Sequence, residues 1–198
     1  MNRSDPPTPA LEPARRTILL DGLWGNPVRM KIMRRRLEQA GMERVETFAY
    51  NSSGFACLVG EGRRLAETIQ AQAGPVNLVG YSMGGLVIRS AICDCADLAV
   101  RKVAFVNTPH GGSQLARWLP GIGISQMRPG CEFLARMEAA AWCIETLAVW
   151  TPGDLMVLPA TSARWQRATR FSKCHVPAHI WPLFSARVHR DLAAFFLS

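Results

Sequence analysis

Residues 76–92 read VNLVGYSMGGLVIRSAI. The first part, Val76 to Gly80, is short and apolar and predicts a buried strand, whereas Leu86 to Cys95 predicts a helix. Between them stands Gly80-Tyr81-Ser82-Met83-Gly84, a G-x-S-x-G pattern at a strand-to-helix junction. A serine held there occupies a sharp, strained turn that projects its hydroxyl, and Gly80 and Gly84 let strand and helix approach without a Cβ clash. The amide of Met83 then lies at a helix N-terminus, where it can donate to a developing oxyanion. Ser82 is the candidate nucleophile, and the strand–turn–helix unit implies an α/β fold.

The chain on either side repeats the alternation. Residues 17–21 predict a strand that opens into the glycine-bounded turn Gly22 to Gly25. Residues 28–40 predict an amphipathic helix with Met30, Met33 and Leu37 on one face, closed by Gly41. A second strand is expected over 44–50 and a second helix over 60–73, with Leu65, Ile69 and Ala73 aligned. After the serine turn come expected strands at 102–107, 146–150 and 173–178. Expected helices follow at 131–142, where Leu134, Met137 and Ala141 align, and at 162–169 and 188–197. Strands apolar on both faces and alternating with helices imply a mostly parallel sheet of about six strands, covered on both sides. The first 13 residues, MNRSDPPTPALEP, carry four prolines and no apolar core, so a disordered leader is expected over 1–15. Residues 16–198 are then expected to form one domain.

Composition narrows the classes of function. A hydrophobic fraction of 48% with 19% charged residues is that of a globular protein. No stretch approaches the roughly 18 apolar residues of a membrane span, so no integral membrane association is expected, and the first residues do not read as a secretory signal, so a cytoplasmic protein is expected. The net charge is +8, and only Lys31, Lys102 and Lys173 of the 23 cations are lysines. The arginines are scattered; Arg34 to Arg36 and Arg164, Arg167 and Arg170 read as solvated helix faces, and no nucleic-acid-binding module or partner is expected. The six cysteines, at 57, 93, 95, 131, 143 and 174, form no C-x-x-C pair and have no histidine at zinc-like spacing. They read as reduced, mostly buried thiols, with no metal site.

With these motifs in place, the chain resembles the α/β-hydrolase superfamily and, within it, the small bacterial lipase and esterase branch, over nearly all of residues 17–197. ILLDGLWG (18–25) looks like a first strand with its oxyanion loop, and VAFVNTPHGGS (103–113) like the strand after the serine helix. TPGDLMV (151–157) looks like the loop presenting an acid, and CHVPAHIWPLFSARV (174–188) like a histidine loop before a final helix. The resemblance implies a Ser82–Asp154–His179 triad with the amides of Leu23 and Met83 as oxyanion donors. It implies an acyl-enzyme route on a small-molecule or lipid ester, with no metal or organic cofactor. Two positions depart from the pattern. Asp21 stands where histidine is usual, and Ala178 precedes His179 where glycine is common.

Three histidines follow Asp154. His175 falls inside the expected strand 173–178 and His189 on the last expected helix, whereas His179 comes just after the strand, where a loop can swing it over the serine turn. His110, which precedes the acid in chain order, reads as a structural turn residue. Trp24, Trp118, Trp142 and Trp181 are candidates either for an acyl pocket or for the core. The connection between Thr108 and Thr146 is short for a large lid; Leu115 to Ile124 makes a small flap at most, which implies an esterase without strong interfacial activation. The same triad serves thioesters, amides and acyl transfer. A binding protein on an inactive hydrolase scaffold, or a basic surface-binding module, are alternatives from other classes.

Overall fold

Short aliphatic strands buried on both faces are stable only inside a sheet covered by helices above and below. The computed structural model of the protein describes Ala14, residues 16–25 and residues 28–198. Among them, β1 (Arg16–Leu20), β2 (Arg44–Thr47), β3 (Val76–Tyr81), β4 (Val100–Val106), β5 (Glu145–Trp150) and β6 (Arg170–Lys173) form one sheet. Its order is β2-β1-β3-β4-β5-β6 and every pairing is parallel. The helices are α1 (Lys31–Gln39), α2 (Leu58–Gln70), α3 (Met83–Asp94), α4 (Ile122–Ser125), α5 (Glu132–Ala139) and α6 (Ala186–Leu197). Except for Ala14, the expected leader lies outside the described residues.

The two-residue period of a strand divides the core. Leu78 of β3 faces a layer with Ile18, Phe105, Leu65 of α2, Leu86 of α3 and Met137 of α5. The next residue, Val79, faces the opposite layer with Leu19, Val149, Leu37 of α1 and Leu192 of α6. From β1 the chain steps outward to β2, then returns past β1 to β3. Strand order therefore reverses between β1 and β3, and the crevice beyond the carboxyl ends of those strands is where reactive groups collect in open α/β sheets. The loop from Gly22 and the turn at Ser82 both open there.

Three expected elements differ. β2 ends at Thr47 and not at residue 50, because Tyr50 turns inward and donates its hydroxyl to the Asp21 carbonyl at 2.7 Å. The helix expected over 162–169 is a short 3-10 turn, Ala160–Ala163; beyond it Trp165 is drawn into the core against Phe105 and Trp142. β6 runs Arg170–Lys173, earlier than expected. Thr169 brings the chain into register by bonding Thr146 in both directions at 2.9 Å, and Pro177, which has no N–H, cannot continue a ladder. His175 therefore lies beyond the strand, and its side chain is exposed.

Two histidines are buried where a charged imidazole is disfavoured. His110 lies edge-on to Phe105 and stacked on Trp165 at 4.8 Å, with Arg89 beside it. Burial, and then the Arg89 charge, hold its imidazole well below the ordinary histidine value. His189 of α6 bonds the Leu183 carbonyl at 2.9 Å, and burial lowers its pKa as well. Unfolded histidines bind protons from about pH 6.5 downward while these two resist, so their contribution to stability is present above that pH and lost below it. The melting temperature is expected to fall between pH 8 and pH 5.5, and the fall to shrink in His110→Phe. Thermal denaturation by circular dichroism across this range checks it; a flat profile in the wild type contradicts it.

Candidate active site

Ser82 joins β3 to α3 with φ 51° and ψ −123°, a backbone conformation that an L-residue tolerates only where its surroundings enforce it. The enforcement is steric and hydrogen-bonded. A Cβ on Gly80 would stand 2.4 Å from the Gly85 Cα, and one on Gly84 would stand 2.4 Å from the Asp21 carbonyl oxygen. The Ser82 N–H donates to the Val106 carbonyl at 2.8 Å, which ties the turn to β4. The hydroxyl projects beyond the sheet.

His179 meets it there. Its Nε2 lies 2.9 Å from Ser82 Oγ, and its Nδ1 lies 2.5 Å from Asp154 Oδ2. Asp154 follows β5, with its side chain sealed from solvent. Its other oxygen, Oδ1, accepts the N–H groups of Met156 at 2.8 Å and Val157 at 3.1 Å. A buried carboxylate is stable only when partnered in this way, and the partners also fix which oxygen faces the imidazole. His179 is held through its own carbonyl, which accepts Tyr81 Oη at 3.0 Å and Asn107 Nδ2 at 3.3 Å. Burial pushes the Tyr81 phenol above its ordinary pKa, with Arg29 opposing and the Asp21 and Asp154 carboxylates adding to the rise, so it stays a donor.

Met83 opens α3, where the first N–H groups have no intrahelical acceptor. The Leu23 amide also lacks a backbone or side-chain acceptor among the described residues. Both flank Ser82. A cavity of about 340 Å³ opens beside the serine, walled by Leu23, Pro109, Leu115, Leu119, Ile124 and Met127 among others. Its lining is apolar apart from a few groups around Ser82, as in small-molecule sites generally. The flap segment supplies much of one wall, as the 3-10 turn Gln114–Arg117 and α4.

Ser82, His179 and Leu23 thus border one crevice, with Asp154 buried behind His179 and Met83 next to Ser82 at the start of α3. His110 stays behind the crevice in the core. Trp24 lines the cavity, Trp142 packs on Phe105, and Trp118 and Trp181 are exposed. Tyr81 and Asn107, which hold the His179 carbonyl, are not among the sequence candidates. Tyr81 sits inside the G-x-S-x-G pattern, but nothing in its spacing marks a contact with a histidine 98 residues away. Among the described residues, no group of three or more His, Cys, Asp or Glu side chains is arranged around a metal position. No helix among them is long and apolar enough to cross a membrane.

Residues 12–116 match the protein family described as "Putative serine esterase (DUF676)". No curated protein matches the chain by sequence. Among solved structures, the mature Bacillus licheniformis lipase BlEst2 is similar with a TM-score of 0.75 at 17% identity, over 95% of this chain and 96% of that one. A Paleococcus ferrophilus monoacylglycerol lipase gives 0.70 at 15% identity, over 93% and 95% of the two chains. Aspergillus fumigatus lipase B gives 0.73 at 14% identity, over 90% of this chain and 51% of that one. Likeness at such identities concerns the fold, which is that of α/β-hydrolase lipases.

Proposed function

The chain belongs to the DUF676 serine esterase family, and from that membership and the geometry of the crevice we propose that it hydrolyses carboxylic esters through Ser82, His179 and Asp154. The observation that carries the reading is the pair of contacts in series, 2.9 Å from Ser82 Oγ to His179 Nε2 and 2.5 Å from His179 Nδ1 to Asp154 Oδ2. A serine hydroxyl is a weak nucleophile until an adjacent base removes its proton, and that base needs its far nitrogen oriented.

In the proposed cycle, Ser82 Oγ attacks the ester carbonyl carbon while His179 Nε2 takes its proton. The negative charge that develops on the carbonyl oxygen is met by the Leu23 and Met83 N–H groups. Asp154 holds the imidazole with Nδ1–H toward itself and stabilises the imidazolium. The imidazolium returns the proton to the alcohol as the C–O bond breaks, which leaves an acyl-Ser82 ester. Water, deprotonated by His179, then releases the acid and restores the serine.

The apolar cavity favours aliphatic acyl groups. Each buried methylene contributes about 0.8 kcal/mol, close to a fourfold gain in kcat/KM if the transition state keeps the contact. Among p-nitrophenyl esters assayed at neutral to mildly alkaline pH, kcat/KM is expected to climb from acetate through butyrate toward octanoate. It should level once the chain outgrows the cavity. With only a small flap over the site, the rate should show no jump as substrate passes its solubility limit. Absence of hydrolysis across the series would sink the proposal, and a marked preference for acetate would overturn the acyl-pocket assignment.

A further inference from the structure

In the loop after β1 (Arg16–Leu20), four consecutive amides run from Gly22 to Gly25, and three of them have hydrogen-bond acceptors among the described residues. Gly22 N–H donates to its neighbour's carboxylate, Asp21 Oδ1, at 2.7 Å. Trp24 N–H donates to the Ser52 carbonyl at 2.8 Å, and Gly25 N–H to the Gly22 carbonyl at 2.9 Å. Of these four, Leu23 N–H is the one with no acceptor among the described residues, and Leu23 borders the cavity beside Ser82. The loop also passes very close to the serine, since a Cβ on Gly22 would stand 2.8 Å from Ser82 Cβ.

What holds this arrangement is an ion pair. Arg29 grips the Asp21 carboxylate as a fork, with Nη2 at 2.6 Å from Oδ1 and Nε at 2.9 Å from Oδ2. Asp21 is buried, and the Arg29 side chain only partly exposed. A two-toothed contact of this kind fixes direction as well as distance. On its far side the Arg29 guanidinium lies 5.9 Å from the centre of the Tyr81 ring, and Tyr81 Oη holds the His179 carbonyl. Tyr50 completes the frame by donating to the Asp21 carbonyl; burial, with the Asp21 and Glu61 charges, raises its pKa and keeps it a donor.

We propose that Asp21, clamped by Arg29, is a positioning residue: its carboxylate takes up the Gly22 N–H and so presents the Leu23 N–H as the oxyanion donor. The pair reaches the histidine loop through Tyr81, so one ion pair braces both loops that flank the nucleophile. This inference rests on the ester-hydrolase reading given above. Its effect belongs to the transition state, because the oxyanion is where an oriented amide gains over a merely nearby one.

Two variants test it. Asp21→Ala removes the acceptor for Gly22 and the partner of Arg29, whereas Asp21→Asn keeps a carbonyl oxygen in the acceptor position. Loss of one well-placed oxyanion donor lowers kcat by about 10²-fold, and Asp21→Ala is expected to approach that loss with KM within about twofold of wild type. Affinity for a trifluoromethyl ketone, whose serine adduct carries the oxyanion, should fall by the same factor as kcat/KM. Asp21→Asn should recover at least about tenfold of the lost kcat. Amide hydrogen exchange gives a readout that needs no turnover: Gly22 should exchange slowly in the wild type and in Asp21→Asn, and fast in Asp21→Ala. A folded Asp21→Ala variant with unchanged kcat and ketone affinity, or with Gly22 exchange as slow as in the wild type, overturns the proposal. If the wild type cleaves no ester, the ester-hydrolase reading falls, and slow Gly22 exchange that Asp21→Ala abolishes still upholds the loop clamp.

Discussion

Ser82→Ala is expected to lower kcat on p-nitrophenyl esters by roughly 10⁴-fold or more while leaving the fold intact. Ser82 is the residue that the strained turn between β3 and α3 projects into the crevice, and its oxygen lies 2.9 Å from His179 Nε2. Removing one oxygen creates no cavity of consequence in the core, so the melting temperature should stay within a few degrees of the wild type. What remains is the background from binding and from the oxyanion amides, which by themselves still accelerate acyl transfer over water. Steady-state assays with active-site-free controls measure the loss, and near-wild-type turnover by the alanine variant would remove the core of the account.

His179→Ala is expected to be nearly as damaging, again roughly 10⁴-fold in kcat, and the comparison with the other two histidines makes the test specific. His175 is exposed beyond β6, so His175→Ala should keep the full rate. His189 is buried in α6 and bonded to the Leu183 carbonyl at 2.9 Å, so His189→Ala should cost stability but keep its rate per folded molecule. Members of a triad act as a unit, so Ser82→Ala/His179→Ala should be scarcely slower than either single variant. Multiplied losses in the double variant would mean that the two residues work separately.

The serine turn was legible because its requirements are local. An apolar strand, small residues where backbones nearly touch, and a helix that begins at once occupy 17 consecutive residues of sequence, and a parallel sheet covered by helices follows from repeating that unit. The edges were less legible. β2 is cut short by a side-chain contact from Tyr50 to a carbonyl 29 residues earlier, which no periodicity records. The strand expected at 173–178 lies at Arg170–Lys173 because Thr169 pairs with Thr146 across the sheet. The ground for setting His175 aside therefore changes from a place inside a strand to an exposed place beyond one. The Asp21–Arg29 clamp could not be read at all. A spacing of eight residues across a loop carries no helical or strand pattern, and the departure at Asp21 acquired a meaning only once Arg29 was seen to face it. The cavity beside Ser82 was hidden for a related reason, since much of its wall comes from the irregular connection between β4 and β5, whose path is set by packing.

The most direct measurement of the central claim is covalent labelling with a fluorophosphonate, followed by peptide mass spectrometry. Such a probe phosphonylates a serine only when a base has activated it and an oxyanion site receives the P=O oxygen. A single stoichiometric adduct on Ser82 is expected in the wild type, with near-complete loss of labelling in His179→Ala and none in Ser82→Ala. A wild-type protein that stays unlabelled, or one labelled at a different serine, would contradict it.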